Sequence, residues 1–283
     1  MPDSGGPPGR IARLRLLDDL VDALGDPEEG LCAHRARFGE AHVVEGVAAL
    51  GAGRLDVDAI EDLADAFLDS DDAVLLIDRT GRRSPQYSTM DHLHLEGRVL
   101  GYLDDLTETK VVGIDETLVR EAIAAEAPCL GLGADQAEAV RALCAPGPAI
   151  RSLIAPAGFG KTTTVHAAAL AASRAGHPVV GLAATNQAAN ELRQAGIPAT
   201  TIARFDLDGA IVPPHAVVVL DEISQVATAD AEIVTAAVAS STGARLWCLG
   251  DPHQAQAVRA GGVGAELARL GQQGGLRGRG RTR

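Results

Sequence analysis

Aromatic residues are nearly missing from this chain: Phe, Tyr and Trp make up 2% of 283 residues. Apolar residues still reach 46%, so alanine, valine and leucine must fill the core of a chain long enough to bury one. So few rings also leave little to stack on the bases of a single strand. Cysteine is scarce and scattered at Cys32, Cys129, Cys144 and Cys248, with no CxxC spacing. That pattern excludes a zinc ribbon or a disulfide framework and fits reduced thiols. Basic residues are outnumbered, 25 against 38 acidic, for a net charge of -13. A general attraction to nucleic acid or anionic membrane is thereby excluded, and only a local basic groove is left open. No apolar run approaches the ~20 residues of a membrane span. The leading Met1-Pro-Asp-Ser-Gly-Gly-Pro-Pro-Gly9 has no signal-peptide core and reads as a disordered lead of residues 1–10. A cytoplasmic chain without a membrane partner is expected.

What is present falls into two compositional halves. Residues 11–24 and 40–50 carry helical patterns, closed by Gly25 and by Gly51-Ala-Gly53. Between Asp56 and Asp72 acids abound without a base, while Ile60, Leu63, Ala64, Phe67 and Leu68 keep helical spacing. This predicts an amphipathic helix with an acidic outer face, a solvated surface before it is a binding one. Ala73–Ile77 and Gln86-Tyr-Ser read as a hairpin across the turn Asp78-Arg-Thr-Gly81. Ser88 and Thr89 then offer the cap of a helix through Leu95, Val99 and Leu103, with Asp91 placed as in a capping box. His92 and His94 point to different helix faces at i, i+2 and do not form a metal pair. Tyr87 reads as a packed strand-end ring rather than a nucleophile. A capped helix follows over 115–127, and the composition shifts near residue 126. The expected division is a mainly helical N-terminal domain over 11–125 and an α/β domain over 126–270, then a Gly/Arg-rich tail over 271–283.

The second half alternates strand and helix at the pace of a parallel sheet. Ile150–Ile154 leads through Ala155-Pro-Ala157-Gly158-Phe159-Gly160-Lys161-Thr162-Thr163 into an alanine-rich helix. Strand, glycine-bearing loop ending in Lys-Thr, then helix is the context of a P-loop. Loop N–H groups and the helix N-terminus face a phosphate, Lys161 neutralises its charge, and the Thr162 hydroxyl helps hold Mg²⁺. Ala155 stands where the first glycine of GxxxxGK[ST] is usual, which is tolerable at negative φ. Pro178–Ala183 is a further strand, leading to Thr185, Asn186 and a helix through Leu192. Residues 202–205 read as a short irregular piece, and 229–240 as a helix. Ala216-Val-Val-Val-Leu220 is a buried central-strand run ending in Asp221-Glu222. Asp221 is placed to bind Mg²⁺ and Glu222 to activate a water. A strand over 245–249 precedes Gly250-Asp251-Pro-His-Gln254, and a last helix is expected over 264–270. Phe205 and Trp247 read as core residues.

Gln136 ahead of the loop, the loop itself, Thr185-Asn186, Asp221-Glu222-Ile-Ser and Gly250-Asp251-Pro-x-Gln254 follow one another in an order that resembles superfamily 1 DNA helicases. The RecD-like group, and the helicase parts of conjugative relaxases of the TraI/TrwC (MobF) kind, are nearest. The likeness spans about residues 38–268. It implies a RecA-like P-loop NTPase domain, with ATP and Mg²⁺ as cofactors. It assigns adenine reading to Gln136 and phosphate binding to Ala157, Gly158, Phe159, Gly160, Lys161, Thr162 and the adjoining Thr163. Mg²⁺ and water fall to Asp221 and Glu222, with Thr162 as a second metal ligand, and γ-phosphate sensing falls to Gln254. Contact with single-stranded DNA, expected to be weak, falls on Thr185, Asn186, Thr201 and Arg204, and on Thr200.

The family's relaxase module and second RecA-like domain have no counterpart among these motifs. The arginines in Gly271–Arg283 resemble either an RGG-like tail or out-of-frame translation, and the second reading is preferred. The expectation is therefore a motor fragment that hydrolyses ATP slowly unless a partner chain supplies the missing half. The alternatives are a nucleotide-dependent binding module acting with a partner, and a non-functional remnant.

Overall fold

Val217–Asp221, valine-rich and apolar on both faces, is the middle strand of a five-stranded sheet. The computed structural model describes residues 10–26, 29–33, 35–51, 55–76, 85–126, 132–156 and 158–251. They form two compact units that divide at Glu96/Gly97.

The N-terminal unit begins with helices α1 (Arg10–Gly25), α2 (Glu40–Gly51) and α3 (Val57–Leu68). Asp56 caps α3, its side chain accepting from the Ala59 N–H at 2.9 Å. The i, i+3, i+4 spacing turns Ala64 and Phe67 inward, onto Val43 and Val47 of α2 and Leu20 and Leu24 of α1. Strands β1 (Ala73–Leu76) and β2 (Gln86–Thr89) pair antiparallel, as the hairpin reading expects; the turn over 78–81 lies outside the described residues. Tyr87 stacks on Phe38, ring centroids 6.1 Å apart, in the packing role read from the sequence. Helix α4 (Met90–Glu108) follows without a break. Its cap is Thr89, which accepts from the His92 N–H at 3.2 Å, whereas Ser88 donates to the Ala36 carbonyl instead. His92 is buried with Nε2 3.3 Å from Glu96, while His94 is exposed.

The second unit opens with the C-terminal half of α4 and a small antiparallel pair, β3 (Lys110–Val111) with β4 (Gly147–Pro148). Helices α5 (Glu116–Glu126) and α6 (Ala134–Cys144) lie between them in sequence. Asp115 caps α5 through the N–H groups of Thr117 and Leu118, which hold its carboxyl below the usual range. The α/β alternation then runs through β5 (Ile150–Ile154), α7 (Lys161–Arg174), β6 (Val179–Ala183), α8 (Asn186–Gln194), β7 (Ala199–Thr201), α9 (Ile202–Leu207), β8 (Val217–Asp221), α10 (Thr228–Ala239) and β9 (Arg245–Gly250). The sheet order is β5-β9-β8-β6-β7, all parallel. The α/β fold with a parallel sheet is thus as the sequence indicated.

Strand alternation splits the core in two. Ile150, Leu182, Val218, Leu220, Leu246 and Cys248 face α9, α10 and the end of α4. Leu153, Val217, Val219, Trp247 and Leu249 face α5, α6 and α7. Both faces are covered, the condition under which parallel strands read as continuous apolar runs. Alanine fills the close contacts: α7 buries Ala167, Ala168, Ala171 and Ala172 beside Val119 and Ala122 of α5. Phe205 and Trp247 are core residues. Cys32, Cys144 and Cys248 are free and buried, and burial pushes Cys144 and Cys248 up to about 12, so both stay neutral thiols.

Two sequence readings are corrected. Residues 202–205 are not irregular but lie in α9, capped by Thr201, and β7 before them forms an unforeseen edge strand. The compact units also part inside α4 rather than at the composition shift near 126, because Val99, Leu103 and Leu106 are packed into the sheet's core. The lead before residue 10, the helix expected over 264–270 and the Gly/Arg tail lie outside the described residues. Among the described residues no helix is long and apolar enough to cross a membrane.

Candidate nucleotide-binding site

In an open parallel sheet ligands gather beyond the carboxyl ends of the strands, where loop amides and helix N-termini converge. Here those ends belong to β5, β8 and β9. The loop after β5 leaves the sheet with Ala155 buried and its N–H donating to the Gly250 carbonyl at 3.1 Å. Ala155 is not among the residues of positive φ, so the methyl group replacing the usual glycine causes no strain. The left-handed turns fall on glycines instead: φ is +79° at Gly158 and +80° at Gly160, the latter directly preceding α7. A Cβ on Gly160 would stand 2.2 Å from Gln136 Nε2, so a side chain here would strain the backbone and displace the Gln136 amide.

Gln136 reaches the loop from α6. Its amide donates to the Phe159 carbonyl at 2.8 Å and accepts from the Gly133 N–H, at the N-cap of α6, at 2.8 Å. The side chain the resemblance assigns to a base thus braces the phosphate loop in this structure. The N–H groups of Lys161, Thr162 and Thr163 form the first turn of α7, where no intrahelical acceptor exists. Thr162 is exposed there, and the Thr164 hydroxyl, buried, donates back to the Gly160 carbonyl at 3.0 Å.

Lys161 bends over the loop: Nζ donates to the Ala155 carbonyl at 2.6 Å and lies 3.7 Å from the Asp251 carboxylate. Asp251 is 4% exposed at the end of β9. The sequence reading quoted this aspartate in its motif and gave it no role; its pairing with Lys161 joins residues far apart in sequence and is visible only in the fold. Asp221 ends β8, its Oδ1 accepting from the Glu222 N–H at 2.9 Å. Desolvation raises its pKa, against the opposing pull of that hydrogen bond and of Lys161. Glu222 is held at φ +50°, a conformation uncommon outside glycine, and its pKa is raised by burial and then by the Asp221 charge. Glu191 on α8 adds to the upward push on both carboxyls.

Two desolvated carboxyls beside one lysine suit a divalent cation. Among the described residues no cluster of three or more His, Cys, Asp or Glu could hold a metal alone. That donor set fits Mg²⁺, which is commonly bound by one or two carboxylates together with substrate phosphates. Asp221 and Thr162 are the residues that would hold it.

The residues assigned to DNA lie at the neighbouring strand ends. Ala183 of β6 is in register with Thr201 of β7, which places Thr185 and Thr201 on the same edge of the sheet. Both hydroxyls act as helix caps, accepting from Ala188 N–H and Arg204 N–H at 3.2 Å each. Asn186 is exposed at the start of α8, and Arg204, also exposed, pairs with Asp208 at 2.8 Å. Ala157 and Gln254 lie outside the described residues.

Comparison with known proteins agrees with the α/β P-loop fold. A family model described as an AAA domain matches residues 131–276, from just ahead of the helix that carries Gln136. The probable conjugal transfer protein TraA of Sinorhizobium fredii is 30% identical over 195 residues, covering 67% of this chain and 17% of the relative. The conjugal transfer protein TraA of Agrobacterium fabrum is 30% identical over 190 residues, covering 64% of this chain and again 17% of the relative. This chain therefore spans about a sixth of the length of the curated relatives it matches. Since the model matches more than half of the residues, the chain belongs to the AAA domain family of P-loop proteins.

Proposed function

We propose that this chain binds ATP with Mg²⁺ and is the first RecA-like motor domain of a superfamily 1 DNA helicase, of the RecD-like kind found in conjugative relaxases. The observation that carries this reading is the convergence of Lys161, Asp221 and Asp251 beside a loop whose two left-handed turns are both glycine. The phosphates lie against the amides of Gly158–Thr163, Lys161 leaves the Ala155 carbonyl for the β- and γ-phosphates, and Thr162 and Asp221 hold Mg²⁺. Mg²⁺ held by Thr162 and Asp221 would supply neutralisation of charge on the phosphoryl oxygens. Glu222, kept protonatable by its surroundings, orients and accepts a proton from the attacking water. Gln254 senses the γ-phosphate. Efficient turnover then needs an arginine from a second RecA-like half, a contribution worth about 10³–10⁵ in rate in other P-loop enzymes.

Gln136 discriminates between two forms of this reading. In Gln136→Ala, loss of adenine reading lowers ATP affinity while leaving GTP affinity nearly unchanged. Equal loss for both nucleotides would reduce the residue to a brace for the loop. Fluorescent nucleotide displacement with ATP and GTP measures the ratio.

Single-stranded DNA crosses the ends of β6 and β7 and meets Thr185, Asn186, Thr201, Arg204 and nearby amides through its phosphates, since few rings are present for stacking. Affinity for oligo-dT is expected to be weak and to fall as salt rises, by counterion release from each contacted phosphate. A flat salt dependence in an anisotropy titration would count against phosphate contacts.

A further inference from the structure

The amino ends of β5 and β9 carry a charge cluster that the nucleotide site, at the opposite ends of these strands, does not use. Arg151 stands opposite Trp247 in the β5–β9 ladder, and Arg245 lies two residues before Trp247 on β9. Strand alternation turns all three side chains to the sheet face covered by α5, α6 and α7. Strand geometry sets the Trp247 backbone about 5 Å from that of Arg151 and about 7 Å from that of Arg245. Trp247 is fully buried and Arg245 is 3% exposed. Cys144, the last residue of α6, is near enough to feel both guanidinium charges.

Donors here outnumber acceptors. Arg151 Nη2 donates to the Ala145 and Pro146 carbonyls at 3.1 and 2.8 Å. Arg245 Nη2 donates to the Val112 carbonyl at 2.9 Å. Nε and Nη1 of the same guanidinium are buried without a hydrogen-bond partner among the described residues, and so is Trp247 Nε1. Buried orphan donors are costly, most of all on a charged group, and three on one sheet face point to an acceptor the polypeptide does not supply.

The missing charge is not supplied either. Among the described residues no carboxylate pairs with Arg245; burial lowers its pKa, and the like charge of Arg151 lowers it further. Cys144, pushed up to about 12 by burial, is a neutral thiol and offsets neither guanidinium. Glu116, the acid whose charge reaches that thiol, is exposed at the start of α5 and lies 3.6 Å from Arg141. Two like charges with orphan N–H groups suit an anion. A buried position favours one that gives up its water readily, so a monovalent halide fits better than a dianion such as phosphate.

We propose that Arg245, Arg151 and Trp247 form a halide-binding site at the amino end of the sheet, the ion accepting from the Arg245 guanidinium and from Trp247 Nε1. The bound ion relieves the repulsion between the two arginines and ties β5 and β9 to the turn that follows α6. It is separate from the phosphate loop, which leaves the other end of β5.

Trp247 is the chain's single tryptophan, so the site contains its own reporter. Bromide quenches an indole it touches, whereas a fully buried ring is shielded from bromide colliding from solution. The net charge of -13 keeps non-specific halide uptake weak. Titration of the full chain with sodium bromide, exchanged for sodium gluconate at constant ionic strength, should give saturable quenching that chloride reverses by competition. Arg245→Gln should weaken this binding about tenfold or more, as for loss of a hydrogen bond to a charged group. Arg245→Lys, which keeps the charge but not the guanidinium donors, should weaken it too, and serves if the glutamine variant does not fold. Quenching that is absent, or that rises without saturating, would mean that water alone satisfies these donors and would overturn the proposal. Saturable quenching of wild-type strength in either folded Arg245 variant would overturn it as well.

Discussion

Lys161→Ala should remove measurable nucleotide binding and, in the same protein, lower thermal stability. The first effect follows from the contact with the phosphates proposed for the ammonium: hydrogen bonds to charged groups are worth about 1.5–3 kcal/mol, or about 10- to 150-fold in affinity. The second follows from the geometry without nucleotide. Lys161 stands 3.7 Å from Asp251, whose carboxylate is nearly buried, and the substitution deprives that charge of its neighbouring cation. Adding Asp251→Asn should restore part of the stability and none of the binding, because the two losses have separate causes. Calorimetry for affinity and a melting curve for stability separate them. Unchanged affinity in Lys161→Ala would remove the basis for the phosphate assignment.

Asp221→Asn should act in the opposite direction on stability. Burial raises the folded pKa of Asp221 above its unfolded value, so the folded chain retains a proton that the unfolded chain has already released. Stability from this group is therefore greatest at low pH and declines as pH rises from the ordinary carboxylate range through the raised folded pKa. At neutral pH the desolvated carboxylate is a cost, and replacing it with asparagine should raise the melting temperature of the nucleotide-free protein. The same substitution should abolish the Mg²⁺-dependent part of nucleotide affinity and most turnover. This is the trade between stability and function expected of a preorganised site. Wild-type Mg²⁺-dependent affinity should also fall on acidification, since cation binding requires Asp221 ionised and its pKa is pushed upward. A melting temperature that drops in Asp221→Asn, or a Mg²⁺ effect that survives it, would contradict the role given to this residue.

The sequence was most legible where geometry is repetitive or glycine-dependent. Val217–Leu220 had to be an internal strand because both of its faces are apolar, and they are buried on both sides. Gly158 and Gly160 marked the loop because only glycine takes φ near +80° at little cost, and those are the angles found. The less legible parts are set by tertiary contacts. Strand β7 has three residues and pairs on one side only, and α9 is too short for its periodicity to show. Their sequence signal was the Thr201 cap, which hides in a pair of threonines. The Lys161–Asp251 pair and the bond from Gln136 to Phe159 bring together residues remote in sequence, so spacing alone could not join them. Helix α4 obscured the division of the chain because it runs unbroken through Gly97, where one unit ends and the other begins.

The proposed function makes one central demand of this chain: nucleotide binding that depends on Mg²⁺ and on Lys161. Calorimetric titration of the full chain with ATP, in the presence and absence of Mg²⁺, measures it directly. Saturable one-to-one binding that is tightened by Mg²⁺ and lost in Lys161→Ala is the predicted result. Heats no larger than dilution with the folded wild-type chain, or binding indifferent to Lys161, would contradict it.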